Sequence, residues 1–315
     1  MSTKTALFKV LSMIGLRKPA LEIYDKYLMH QLKQQAQKQN LVLSMNNGQF
    51  EIINQDKKII LSESQIRRYA QSVINDFDFH FNDVFPRDIN GIKIVDHSKP
   101  NVHTLKHNMI NFWFSSFAVD TPMEGYFNCR VPKPGDIVFD VGAYCGLSSY
   151  YLSKVVGKTG KVYVFEPDNL NYQMLLKNID LHSLTNVIPI KKGLWSETKS
   201  LAFSNEGTPS SSLSDMPYVS TTDTIDVLSF EDACKTLNLD KVDFVKMDIE
   251  GAEVDVISGS ADFIKSMDID FAIASYHKCG NVQSFEILEI LFDNIGYETR
   301  TVYPAHLTTC AKRKQ

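Results

Sequence analysis

Residues 21–40 read as one helix with a polar end, where Gln31, Gln34, Gln35, Gln37 and Gln39 crowd together. Ahead of it Leu7, Leu11 and Ile14 recur at helical spacing among Lys4, Lys9, Arg17 and Lys18. The period changes over 49–61. Phe50, Ile52 and Ile53, then Ile59, Ile60 and Leu61, flank the polar stretch Asn54 to Lys58, which predicts a hairpin. Ser62 and Ser64 then offer N-caps for a helix through about Ile74, with Glu63 and Gln65 in its first turn. Residues 77–131 are aromatic-rich and read as irregular, with Phe112, Trp113, Phe114 and Phe117 as core.

After Pro134-Gly135-Asp136 the pattern becomes regular. Short apolar runs at 137–141, 162–165, 187–190, 242–247 and 271–275 fit strands buried on both faces of a parallel sheet. Helices fit 147–156, 169–181 and 282–294 between them, and two terminal strands fit 297–302 and 307–310. This alternation predicts an α/β fold with a doubly wound, Rossmann-like sheet over 132–315, preceded by an α+β extension over 1–131. The extension is expected to pack on the sheet domain and to serve substrate or oligomer contacts.

Composition removes several classes. A 315-residue chain that is 43% hydrophobic and 22% charged buries a core without disulfides, so neither disorder nor a stapled mini-protein is expected. The formal charge of −4 argues against a broad basic surface for nucleic acid. Cys129, Cys145, Cys234, Cys279 and Cys310 form no CxxC pair and are expected to be reduced thiols in a cytoplasmic protein. His103 and His107 are spaced to share a helix face, but Thr104 stands where a zincin carries Glu, so no metal is assigned to them. No run approaches the ~18 apolar residues of a membrane span. Lys9 interrupts the apolar region that a signal peptide requires. The basic amphipathic segment 1–18 leaves two readings open: peripheral contact with an anionic membrane, or docking on its own domain or a second copy.

The chemistry lies at predicted strand ends. Asp140, Glu166 and Asp248 close three strands, where open α/β sheets bind ligands. Gly142-Ala143-Tyr144-Cys145-Gly146 then opens a helix. A dinucleotide loop reads GxGxxG, and Tyr144 occupies its second glycine, so a pyrophosphate would meet a bulky side chain. Glu166, with Pro167, lies where a ribose-binding acid is expected. An adenosine ligand without pyrophosphate fits better, and S-adenosylmethionine is one. Asp140 and the glycine loop would face its ammonium and sulfonium groups.

Lys246-Met247-Asp248-Ile249-Glu250-Gly251-Ala252-Glu253, with Phe139–Ala143 and Phe165–Asp168, resembles the FkbM family of S-adenosylmethionine-dependent methyltransferases. Val256–Gly259, the serines 210–212 and Ser229–Asp232 resemble further motifs of that family in order. The resemblance covers about 134–280. It implies a class I methyltransferase sheet and O-methylation of a hydroxyl on a glycan or small metabolite. In this reading Asp140, Gly142, Ala143, Tyr144, Gly146, Glu166, Pro167 and Asp248 bind the cofactor. The loop after the third strand, Lys191 to Trp195, lacks the acid that often meets adenine, so backbone at Gly193 and Leu194 is assigned that contact. Asp248, Glu250 and His277 are the candidate catalytic groups, with histidine suited to base work near neutral pH. Glu250 and Glu253, three apart, are expected on one face of a helix start. The sequence does not require a metal, and none is assigned. The Ser-, Thr- and Pro-rich stretch 204–223 reads as a substrate lid. A nicotinamide-dependent oxidoreductase and a non-catalytic binding module of the same fold are the rival readings.

Overall fold

The computed structural model describes residues 17–120, 123–204, 222–303 and 306–314. They form two compact units, one from 17–120 and one from the remainder. The expected division at 131/132 thus falls later than the observed one. Met123 and Tyr126, on the helix Met123–Phe127, are buried in a core cluster of the second unit. The segment 1–16 and the proposed lid over 205–221 lie outside the described residues. Among the described residues no helix is long and apolar enough to cross a membrane.

The first unit opens with the helix Arg17–Lys38. The predicted hairpin forms from Gln49–Asn54 and Lys57–Ser62, and a further strand, Val42–Asn46, pairs with its first arm. The helix Glu63–Asn75 starts as its capping residues predict: Gln65 Oε1 accepts the Ser62 N–H at 2.8 Å. The reading of 77–131 as irregular is corrected. Ile92–Asp96 and Arg87–Ile89 extend the hairpin sheet, and Val84–Phe85, Asn101–Leu105 and Asn111–Phe114 form a second one. His103 lies on the strand Asn101–Leu105 and His107 beyond its end, so they share no helix face. His103 instead joins His97 and His80, with His97 Nε2 and His80 Nδ1 3.2 Å apart.

The second unit is built on a seven-stranded sheet. Numbered within this sheet alone, its strands are β1 (Ile137–Val141), β2 (Lys161–Phe165), β3 (Val187–Ile190), β4 (Phe244–Met247), β5 (Asp270–Ala274), β6 (Tyr297–Val302) and β7 (Thr308–Arg313). Their order is 3-2-1-4-5-7-6, parallel except for β7, which runs against both β5 and β6. The fold is therefore the expected doubly wound α/β sheet. Its chain order reverses between β1 and β4, which is where such sheets bind ligands.

Period-2 alternation divides the strand side chains between two cores. Phe139, Val141, Phe165, Val245, Met247, Phe271 and Ile273 pack on one face. Val138, Val162, Val164, Phe244, Ala272 and Ala274 pack on the other, with Tyr126. Both faces are buried, which is why the strands read as unbroken apolar runs. A disulfide joins Cys129 to Cys310 on β7, across 181 residues of sequence. The expectation that all five cysteines are reduced thiols is corrected at these two, and the cytoplasmic expectation loses that support.

Candidate active site

Two glycines fix the loop after β1. Gly142 has φ +76°, and a Cβ there would stand 1.9 Å from the Asp248 carbonyl oxygen. Gly146 has φ +88° and leaves no room for a Cβ beside Leu175. Glycine alone meets both demands. The loop therefore lies against the backbone just past β4, so the strand-end motifs are in contact. Tyr144, between the glycines, also takes a positive φ of 53°. Its N–H donates to Glu166 Oε2 at 2.9 Å.

Asp140 was expected to face the cofactor, and the structure corrects this. Its side chain is fully buried. Oδ2 accepts hydroxyls from Ser148 and Ser149 at 2.6 Å each. Oδ1 lies 3.2 Å from Lys246 Nζ as an ion pair, without the alignment of a hydrogen bond. Asp140 and Lys246 are register partners on β1 and β4 and share one sheet face, which forces the encounter. The Lys246 ammonium also donates to the Gly142 carbonyl at 2.8 Å and sits over the Tyr126 ring. Asp140 thus braces the glycine loop through Lys246. Asp140→Ala is expected to cost roughly 3–5 kcal/mol, because it leaves an ammonium buried without its counter-charge. Chemical denaturation of Asp140→Ala and of the double variant Asp140→Leu/Lys246→Met checks this, with the double variant recovering much of the loss. A single variant within about 0.5 kcal/mol of the parent would refute the bracing role.

Glu166 lies just past β2, buried, where the sequence reading placed it. Its other oxygen accepts the Asp168 N–H at 2.9 Å. Burial first, then the charge of Asp168, pushes its carboxyl up to about 8. Pro167 is half-buried beside it, and Asp168 caps the helix Asn169–Leu181 by accepting from Leu170 and Asn171. A buried acid beside a backbone loop with no second glycine fits the hydroxyls of an adenosine ligand and leaves no cradle for a pyrophosphate. Ala143 is buried in the core on the Val138 face of the sheet. The backbone of Gly193 and Leu194 pairs with Val227 and Leu228, and both residues are buried.

The structure brings Asp248, Glu250 and His277 together. Asp248 lies just past β4 and is about a quarter exposed. Its Oδ2 accepts the Tyr126 hydroxyl at 3.0 Å and its Oδ1 the Tyr276 hydroxyl at 3.4 Å. His277 Nε2 stands 3.9 Å from Asp248 Oδ1 and 3.8 Å from Glu250 Oε2. On the other side of the ring, Nδ1 is 3.1 Å from Glu253 Oε1. Glu250 and Glu253 do not share a helix face as expected. Glu250 turns with φ +58° ahead of the helix Glu253–Gly259. Glu253 is fully buried, and its Oε1 accepts the Ile249 N–H at 2.9 Å.

Burial lowers the His277 imidazole, but Glu253 and then Asp248 and Glu250 outweigh it and hold the ring at about 9. These neighbours favour the protonated form of the ring at neutral pH. Tyr126, Tyr276 and Lys246 escaped the sequence reading of the site. Lys246 opens the 246–253 motif and Tyr276 adjoins His277, whereas nothing local marks Tyr126.

Residues 140–299 match the family described as "Methyltransferase FkbM domain". The hexuronic acid methyltransferase AglP of Haloferax volcanii is 28% identical over 145 residues, covering 45% of this chain and 56% of the relative. The chain thus spans about half the length of that curated relative. Among solved structures, the methyltransferase FkbM of Methylobacillus flagellatus KT is 22% identical with a TM-score of 0.41, covering 57% of this chain and 43% of that one. A SAM-dependent methyltransferase of Aquifex aeolicus is 16% identical with a TM-score of 0.37, covering 61% of this chain and 93% of the other. With the family match spanning half of its length and the 246–253 motif folded against the glycine loop, this chain belongs to the FkbM family of methyltransferases, whose cofactor is S-adenosylmethionine.

Proposed function

We propose that the protein methylates an oxygen of a glycan or a small hydroxylated metabolite, with S-adenosylmethionine as donor. One observation carries the reading. The backbone of Asp248 closes on the glycine loop at Gly142, while its carboxylate joins Glu250 and His277. One residue thus links the cofactor loop to a set of acid and base groups. The hexuronic acid named for the Haloferax relative favours a sugar acceptor within this class. The formal charge of −4 disfavours nucleic acid.

S-adenosylmethionine supplies an electrophilic methyl group on a sulfonium centre. The backbone of Gly142–Gly146 and the carboxyl of Glu166 are the groups that would hold it. What remains for the chain is to fix an acceptor hydroxyl and take its proton. Asp248 suits that task, because two tyrosine hydroxyls orient it and its side chain is about a quarter exposed. Glu250 is open to the same extent and adds a second acceptor.

A panel of glycans and metabolites incubated with labelled methyl donor tests the reading. Label transferred to a sugar oxygen is the expected result. Retention of NAD but not S-adenosylmethionine in equilibrium dialysis would overturn it in favour of an oxidoreductase. Binding of the donor with no transfer to any acceptor would favour a non-catalytic module. Separately, Glu166→Ala should weaken S-adenosylmethionine binding by about 1–3 kcal/mol, roughly 5- to 150-fold in Kd. Titration calorimetry checks it on protein whose melting curve is intact. An unchanged Kd would remove Glu166 from the cofactor site.

A further inference from the structure

We propose that Asp248, Glu250 and His277 form a site for a divalent transition-metal cation such as Mn2+. One ligand atom from each, a carboxylate oxygen or a ring nitrogen, lies within 4.8 Å of the other two. The His277 side chain is nine-tenths buried, and its Nε2 is buried without a hydrogen-bond partner. The two carboxylate oxygens nearest to that nitrogen, at 3.8 and 3.9 Å, are too distant to bond it directly. Donors bound about 2.0–2.2 Å from one ion lie roughly 3–4 Å apart, so these spacings suit a shared cation.

The surroundings of the three donors support the same assignment. A metal-bound histidine commonly directs its second ring nitrogen at a carboxylate, which fixes the ring. Here the buried Glu253 carboxylate stands 3.1 Å from Nδ1 and is itself tied to the Ile249 N–H. Asp248 is held from behind by Tyr126, whose hydroxyl takes Oδ2, while Oδ1, which also accepts the Tyr276 hydroxyl at 3.4 Å, faces His277. Charge points the same way. Asp248, Glu250 and Glu253 converge on one imidazole, and a proton there offsets one carboxylate, whereas a divalent ion offsets two. One imidazole with two carboxylates suits manganese, cobalt or zinc better than magnesium or calcium.

The binding claim stands apart from the proposed reaction. The cation's use rests on that reading: its open positions would take the acceptor oxygen and orient it beside Asp248. The test uses the full chain, dialysed against chelator and then titrated with MnCl2, without methyl donor or acceptor. Loss of the free-ion Mn2+ resonance should report one equivalent bound. The bound ion should show coupling to a histidine nitrogen in pulsed spectra. Glu250→Gln, on a side chain about a quarter exposed, should weaken binding at least tenfold. His277→Ala should weaken it further and abolish the nitrogen coupling. Glu253→Gln should weaken it about 10- to 100-fold, as loss of a carboxylate behind a metal-bound histidine does. No binding at 1 mM Mn2+, or binding that Glu250→Gln and His277→Ala leave unchanged, would overturn the proposal. Methyl transfer that survives chelation would refute the ion's role in holding the acceptor, with Mn2+ binding still decided by the titration. An inactive enzyme that still binds one Mn2+ would count against the methyltransferase reading alone.

Discussion

Asp248→Asn is expected to lower methyl transfer by at least about 100-fold and to leave folding almost unchanged. General acid–base groups contribute roughly 10²- to 10⁴-fold, and Asp248 meets the glycine loop through its backbone while its carboxylate joins Glu250 and His277. Asparagine keeps the shape and can still accept the Tyr126 hydroxyl now bonded at 3.0 Å. The side chain is about a quarter exposed, so loss of its charge leaves no buried hole. Single-turnover transfer of labelled methyl, with melting temperature measured on the same protein, separates the two effects. Tyr126→Phe makes a useful companion. It removes the donor that orients Asp248, so kcat should fall by less while the Kd for S-adenosylmethionine holds. Full turnover in Asp248→Asn would end its assignment as a catalytic group.

Acid should unfold the first unit well before ordinary carboxylate titration does. Burial lowers His80 to about 4, against a weaker upward pull from Asp76. Burial and then Arg87 lower His103 to about 4, against upward pulls from the Asp96 backbone and charge. His97 is fully buried and lies well below the usual range for the same first reason, with its two histidine neighbours adding to it. Each group binds its proton more readily in the unfolded chain. Stability is therefore complete above about pH 6.5 and is withdrawn as pH falls from 6.5 toward 4. At about 1.4 kcal/mol per unit, His80 and His103 contribute on the order of 3 kcal/mol apiece. Thermal melts at pH 7.5, 6.5 and 5.5 should show a transition moving steadily down in temperature. A double variant His80→Gln/His103→Gln should flatten that slope. An unchanged melting temperature between pH 7.5 and 5.5 would refute the account.

The histidines also show where reading the sequence stops. Spacing linked His103 to His107 through a helix, whereas the chain there is a strand, and its pleat turns His103 toward His97. Aromatic density at 112–117 identified core but not the short strands that carry it. In the second unit the helices 147–156 and 169–181 and the strands 137–141, 187–190 and 297–302 match their predicted limits. Runs buried on both faces, bounded by turn residues, are local signals that survive folding. The acids at the strand ends were also legible, because the fold class fixes where such sheets bind. What each acid does was not. Asp140 is closed off by Lys246 across a register that no local pattern specifies.

The sequence by itself determined the alternation of strands and helices, the glycine loop and the acidic motif at 246–253, because periodicity, caps and turn chemistry act within a few residues. The tertiary structure decided which of those residues meet. Tyr126 reaches Asp248 across 122 positions, Cys129 bonds Cys310 across 181, and His277 enters the acidic motif from the end of β5. Each encounter depends on strand order and register in the sheet. Those are set by packing both faces at once, and no stretch of chain encodes them alone.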